Sequence, residues 1–128
     1  MADYRGDSYG KKIARAKLWA NGIEILNCFG DDPEGALVLA GEGGDISVLD
    51  GFKFPLDKIH ATDIDIELAM FVRELYPQVN MSIKDIGEFS GQKDVNYNLA
   101  HVDFCSNISI KNIVAFGKVV QNSQKNKM

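Results

Sequence analysis

The chain has 128 residues, 45% of them apolar and 25% charged, with two cysteines and a formal net charge of -4. That length fits one domain with a sizeable core and is too short for two, and the composition excludes a disordered chain or a disulfide scaffold. The N-terminus has no apolar run of signal-peptide type, and no later run approaches the ~20 apolar residues that cross a bilayer, so a single cytoplasmic domain over 1–128 with no membrane attachment is expected.

Residues 8–21 predict a helix, with Ser8 as its cap, Ile13, Ala14, Ala16, Leu18 and Ala20 as its apolar side, and Asn21-Gly22 as its stop. Charge is segregated around it. Residues 1–30 hold five basic and three acidic side chains, residues 31–105 five basic and fifteen acidic, and residues 106–128 four basic and none acidic. Arg5, Lys11, Lys12, Arg15 and Lys17 read as a solvated face or as a footprint for nucleic acid. Ile23 to Phe29 is apolar with a period that decides neither strand nor helix, and Gly30-Asp31-Asp32-Pro33 breaks it. Residues 1–34 thus read as N-terminal helix and linker, 35–120 as an α/β core, and 121–128 as a frayed tail. Cys28 and Cys105, lacking CxxC spacing, are expected to be reduced and buried.

From Gly35 the order of elements sharpens. Ala36-Leu37-Val38-Leu39-Ala40 is a continuous apolar run suited to a strand buried on both faces. It leads into Gly41-Glu42-Gly43-Gly44, after which Asp45 can cap a short helix. Lys58 to Asp63 reads as a second strand, and Asp65 caps a helix whose Leu68, Phe71, Val72 and Leu75 fall at i, i+3, i+4 and i+7. Tyr76-Pro77 ends that helix, Val79 to Lys84 alternates as a third strand, and Asp85 closes it. Ser90 to Asn96 is a polar loop around Gly91, and Asn98 to Phe104 a fourth strand. Ser106 or Asn107 caps a last helix carrying Ile110, Ile113, Val114 and Val120. Strands alternating with helices predict a Rossmann-like three-layer α/β sandwich on a mainly parallel sheet in the order 3-2-1-4.

In such sheets a ligand sits beyond the carboxyl ends of the strands where the winding reverses, here between strands one and four. The bend at Gly41, Gly43 and Gly44 lets the backbone approach a ligand closely. Asp63, about 20 residues further on at the end of strand two, is placed to accept from both hydroxyls of a ribose. With Asp85-Ile86 and Asp103, these residues resemble the class I S-adenosylmethionine-dependent methyltransferase family over roughly residues 36–110. The resemblance implies that the loop Gly41, Glu42, Gly43, Gly44 passes beneath the methionine and ribose parts of S-adenosylmethionine. It implies further that Asp63 holds the ribose, Ile64 packs on the adenine, Asp85 accepts from the adenine amine beside Ile86, and Asp103 and Phe104 face the sulfonium and the acceptor. Asp103 is then the residue that orients the acceptor.

The chain also departs from the family. Leu39 and Ala40 stand where an acid near the end of strand one usually positions the methionine amine, with Glu42 as the available substitute, and Asp45 replaces the third glycine. Full members add three further strands, so strand four reads here as an open edge, with a homodimer or other complex expected through it and the last helix. A non-catalytic assembly module acting through that edge is the alternative function. Nicotinamide-dinucleotide binding ranks below both, because Ile46 stands where the last glycine belongs. His60 and His101 have no carboxylate or cysteine at ligand spacing, so no metal is expected. GxSxG and a Gly-Lys-Ser/Thr loop are both missing.

Overall fold

The computed structural model of the chain describes residues 9–28, 30, 34–102, 114 and 117–122. Four strands, β1 (Ala36–Leu39), β2 (Ile59–Thr62), β3 (Asn80–Ser82) and β4 (Leu99–His101), form one parallel sheet in the order β3-β2-β1-β4. It is a Rossmann-like α/β fold. β1 lies at its centre with Ala36 level with Ile59 on one side and Leu99 on the other. Its unbroken apolar sequence follows from that position: Ala36 and Val38 enter one core cluster, while Leu37 enters a second and Leu39 packs against it.

The first core is covered by α1 (Tyr9–Cys28), α2 (Gly44–Gly51) and α3 (Ile66–Leu75), which contribute Trp19, Ile46, Leu49, Ala69 and Val72. The second is covered by α4 (Ile86–Phe89), the segment through Val95 and Tyr97, and Val119 of the helical residues 117–122. The Tyr97 hydroxyl donates to the Val119 carbonyl, and Asn122 Nδ2 donates to Ser90 Oγ at 2.9 Å, fastening that helical segment to the end of α4 and to the stretch before β4.

Several expected boundaries shift. α1 does not stop at Asn21-Gly22 but runs to Cys28, absorbing the run at 23–28 that the period left undecided. A side chain at position 22 would meet Leu99 at 3.2 Å, so Gly22 marks a close approach of helix to sheet and not a cap. The buried stripe of α1 is Trp19, with Ile23 and Leu26 against it, whereas Ile13 and Leu18 are exposed. Cys28 is exposed, not buried; Cys105 lies outside the described residues.

α3 begins as its cap predicts, the Asp65 carboxylate accepting from the backbone N–H of Glu67 and Leu68 at 2.9 and 3.2 Å. Its buried face is rotated from the predicted one, however. Ala69 and Val72 are fully buried and Tyr76 packs beside them, while Phe71 and Leu75 are 47% and 54% exposed. Small side chains at the contact let the helix lie close to the sheet, which turns the bulkier ones outward. Val119, not Val114 or Val120, is the buried valine of the last helical segment; Ser106, Asn107, Ile110 and Ile113 lie outside the described residues. No helix among the described residues is long and apolar enough to cross a membrane.

His60 is the one histidine inside the fold, 8% exposed on the second-core face of β2. Its Nδ1 lies 2.9 Å from Asn80 Nδ2, an amide donor, so that nitrogen accepts and the ring is neutral. Burial holds its pKa below the ordinary 6.5, against the opposing pull of the Asn96 backbone and the Asp94 charge. The unfolded chain therefore takes up a proton at a pH where the native chain does not. Stability should be full above the unfolded value and fall as pH drops below it, by up to about 1.4 kcal/mol per pH unit. Urea unfolding between pH 7 and 5 should show this slope, and His60→Gln should flatten it.

Candidate functional site

The carboxyl ends of β1, β2 and β3 bring three loops together. After β1 the chain closes a tight turn, Gly43 N–H donating to the Ala40 carbonyl at 2.8 Å, before α2 starts at Gly44. Gly41 and Gly43 have φ of 49° and 89°, the left-handed region that disfavours side chains. Gly43 is the N-cap residue of α2, so Asp45 is not its cap as the sequence suggested. A Cβ at Gly43 would meet Tyr76 at an ordinary 3.4 Å, so Gly43→Ala should cost only the backbone strain, about 1–2 kcal/mol in urea unfolding.

Asp63 follows β2 directly and turns its carboxylate onto this bend. Oδ2 accepts from the Gly41 N–H at 3.0 Å, and Oδ1 accepts from the Asp65 N–H at 2.9 Å. A carboxylate so held has each oxygen fixed by one backbone donor and keeps further lone pairs for other donors. Thr62, fully buried, supports the arrangement from beneath: its hydroxyl donates to the Lys84 carbonyl at 2.7 Å and accepts from the Lys84 N–H at 3.1 Å. That pair ties the end of β2 to the loop after β3.

On that loop Asp85 does more than end a strand. Its Oδ2 caps α4, accepting from Gly87 and Glu88 N–H at 3.1 and 3.4 Å, which leaves Oδ1 outside the cap. Ile86 is 2% exposed and packed into the second core. The apolar side chains presented at these loops are instead Ile64 and Ile83, 67% and 40% exposed. Glu42 is exposed at the bend, and Gly44 is the first helical residue. Asp103 and Phe104 lie outside the described residues.

A second constellation escaped sequence reasoning. Asp45, in the first turn of α2 and 6% exposed, directs Oδ1 at three partners. The Trp19 indole N–H donates to it at 2.9 Å, Arg15 Nε stands 3.2 Å away, and His101 Nδ1 lies at 3.0 Å. α1, α2 and β4 meet at this one carboxylate. The available signal was Arg15 and Trp19 four residues apart on one helical face, a pairing of cation and N–H donor that suits a buried acid.

Among the described residues no group of three or more histidine, cysteine, aspartate or glutamate side chains is placed to hold a metal. No protein-family model, curated protein or solved structure matches the chain.

Proposed function

We propose that this chain binds S-adenosylmethionine at the carboxyl ends of β1, β2 and β3 and serves methyl transfer to an acceptor. The observation that carries the reading is the bond from Gly41 N–H to Asp63 Oδ2 at 3.0 Å, which joins the glycine bend and the acid after the neighbouring strand at a single point. A ribose seated over the bend finds a carboxylate already oriented by two backbone donors. Exposed Ile64 offers the adenine an apolar surface, and Asp85 Oδ1 offers an acceptor for its amine.

Charge also favours this ligand over a dinucleotide. Glu42 stands just before α2, and Asp63 and Asp85 occupy the same end of the sheet, whereas Asp45 in the first turn of the helix is already paired with Arg15. A pyrophosphate placed at that helix N-terminus would face like charge, whereas the sulfonium and ammonium of S-adenosylmethionine meet opposite charge. When bound, the cofactor supplies an electrophilic methyl group. The protein's work is then to hold donor and acceptor in line, which needs alignment more than acid or base strength. The Asp63 and Asp85 carboxylates would fix the nucleoside, while the loop at 41–44 sets its depth. The reading extends to self-association along β4, for which sedimentation should give a dimer at micromolar concentration.

Thermal unfolding with added S-adenosylmethionine, S-adenosylhomocysteine and a nicotinamide dinucleotide tests the assignment. The first two should raise the melting temperature by several degrees at about 100 times their Kd, a stabilisation of about 2.7 kcal/mol, and the dinucleotide should not. No shift with either sulfur nucleoside at millimolar concentration would remove the claim.

A further inference from the structure

Two sides of α1 repeat with the spacing of a coiled-coil seam. Arg15, Trp19, Gly22 and Leu26 step by four, three and four residues and face the fold, with Ile23 beside them. Set back by one residue, Ala14, Leu18, Asn21, Ile25 and Cys28 step by four, three, four and three, and all of them are exposed. One residue turns a helix by about 100°, so the second stripe looks outward beside the first.

Leu18 and Ile25 are 47% and 57% exposed. A solvated helix face carries charge at such positions, whereas an alternation of four and three sustained over about four turns is the pattern by which one helix packs into another. Asn21 is the single polar residue of the stripe, the kind that fixes register between paired helices. Asn21, Ile25 and Cys28 line a hollow together with Glu24, which suits a side chain from a facing helix.

We infer that this stripe pairs two copies of the chain, α1 packing antiparallel on α1 of the second copy. The pairing is independent of the S-adenosylmethionine reading and uses a surface other than the β4 edge. Charge selects both the partner and the direction. Lys17 and Glu24 are exposed seven residues apart on one flank of the stripe. The antiparallel alignment that sets Ala14 opposite Ile25 and Leu18 opposite Asn21 overlaps the stripe along its whole length. It brings Lys17 of each copy level with Glu24 of the other, so the two-fold axis makes the ion pair twice. A parallel pair would set Lys17 toward Gly22 and leave it without a counter-charge, and it would also align the two helix dipoles head to head. In the antiparallel alignment the two Cys28 side chains stand about 26 Å apart along the axis, beyond disulfide reach, whereas a parallel pair sets them side by side.

Sedimentation equilibrium on the wild-type chain should find a dimer at micromolar concentration. Ile25→Glu, a change at a solvent-facing position, should give a monomer with an unaltered far-ultraviolet circular dichroism spectrum. Lys17→Glu should weaken the dimer about tenfold, and combining it with Glu24→Lys should restore the dimer. Carbodiimide coupling of an equal mixture of isotope-labelled and unlabelled chains should join Lys17 to Glu24 in peptides that carry both labels, and mild oxidation should not join one Cys28 to the other. A wild-type monomer overturns the pairing, and so does a dimer that survives Ile25→Glu, which is then joined elsewhere, as at the β4 edge. A dimer linked through Cys28 overturns the antiparallel direction.

Discussion

Asp63→Ala should abolish the thermal stabilisation that the proposed function expects S-adenosylmethionine to give the wild-type chain. On the proposed reading the substitution removes the acceptor for the two ribose hydroxyls, and hydrogen bonds to a charged group are worth about 1.5–3 kcal/mol each. Losing both weakens binding by roughly 100-fold or more. It also releases the Gly41 and Asp65 N–H groups, which Asp63 holds at 3.0 and 2.9 Å. The unliganded protein should therefore lose about 1–2 kcal/mol as well, because those backbone donors are only partly shielded and water can replace the carboxylate. Asp63→Asn does not separate the two roles cleanly. Both carboxylate oxygens already face backbone donors, so an amide nitrogen in either place opposes another N–H. Calorimetric titration of the folded Asp63→Ala protein isolates the binding loss, and unchanged affinity there would refute the ribose role of this residue.

Asp45→Ala should cost about 3–5 kcal/mol in urea unfolding, the range for breaking a buried ion pair by removing one partner. The acid is 6% exposed, and one of its oxygens serves the Trp19 indole, Arg15 and His101 together. Alanine takes the acceptor from the indole and the counter-charge from the guanidinium while both remain inside the fold. A domain of this size has about 5–15 kcal/mol in all, so the change removes a large share and moves the urea midpoint by about 2 M. Asp45→Asn should cost less, because an amide oxygen can still accept from the indole. A loss below about 1 kcal/mol for the alanine variant would show that the junction of α1, α2 and β4 is held by apolar contact alone.

The strand order and the main cap were legible because each rests on neighbouring residues. The apolar run at Ala36–Leu39 marks a strand buried on both faces, Asp65 stands where its carboxylate reaches the next two N–H groups, and the alternation of strands with helices leaves few topologies. The bend at Gly41 and Gly43 could be read for the same reason, since their positive φ is a local demand of the backbone. The choice of helix face was not legible. In α3 the apolar residues at 68, 71, 72 and 75 and those at 69, 72 and 76 both satisfy the helical period, and only packing in the core selects the second set. The length of α1 was hidden likewise, because Gly22 ends an isolated helix but permits close packing against Leu99.

The sequence alone thus determined the class of fold, the order of its strands, and the position of the glycine bend and of the acid after β2, all consequences of short-range sterics, capping and burial. Tertiary structure decided that Asp63 meets Gly41 across 22 residues, and that Asp45 gathers Trp19 and His101 from 26 and 56 residues away. An aspartate in the first turn of a helix looks the same in sequence whether it faces water or a buried indole. The partner that distinguishes the two is supplied by the way the sheet winds, because a parallel sheet brings residues from distant strands and helices to its carboxyl edge.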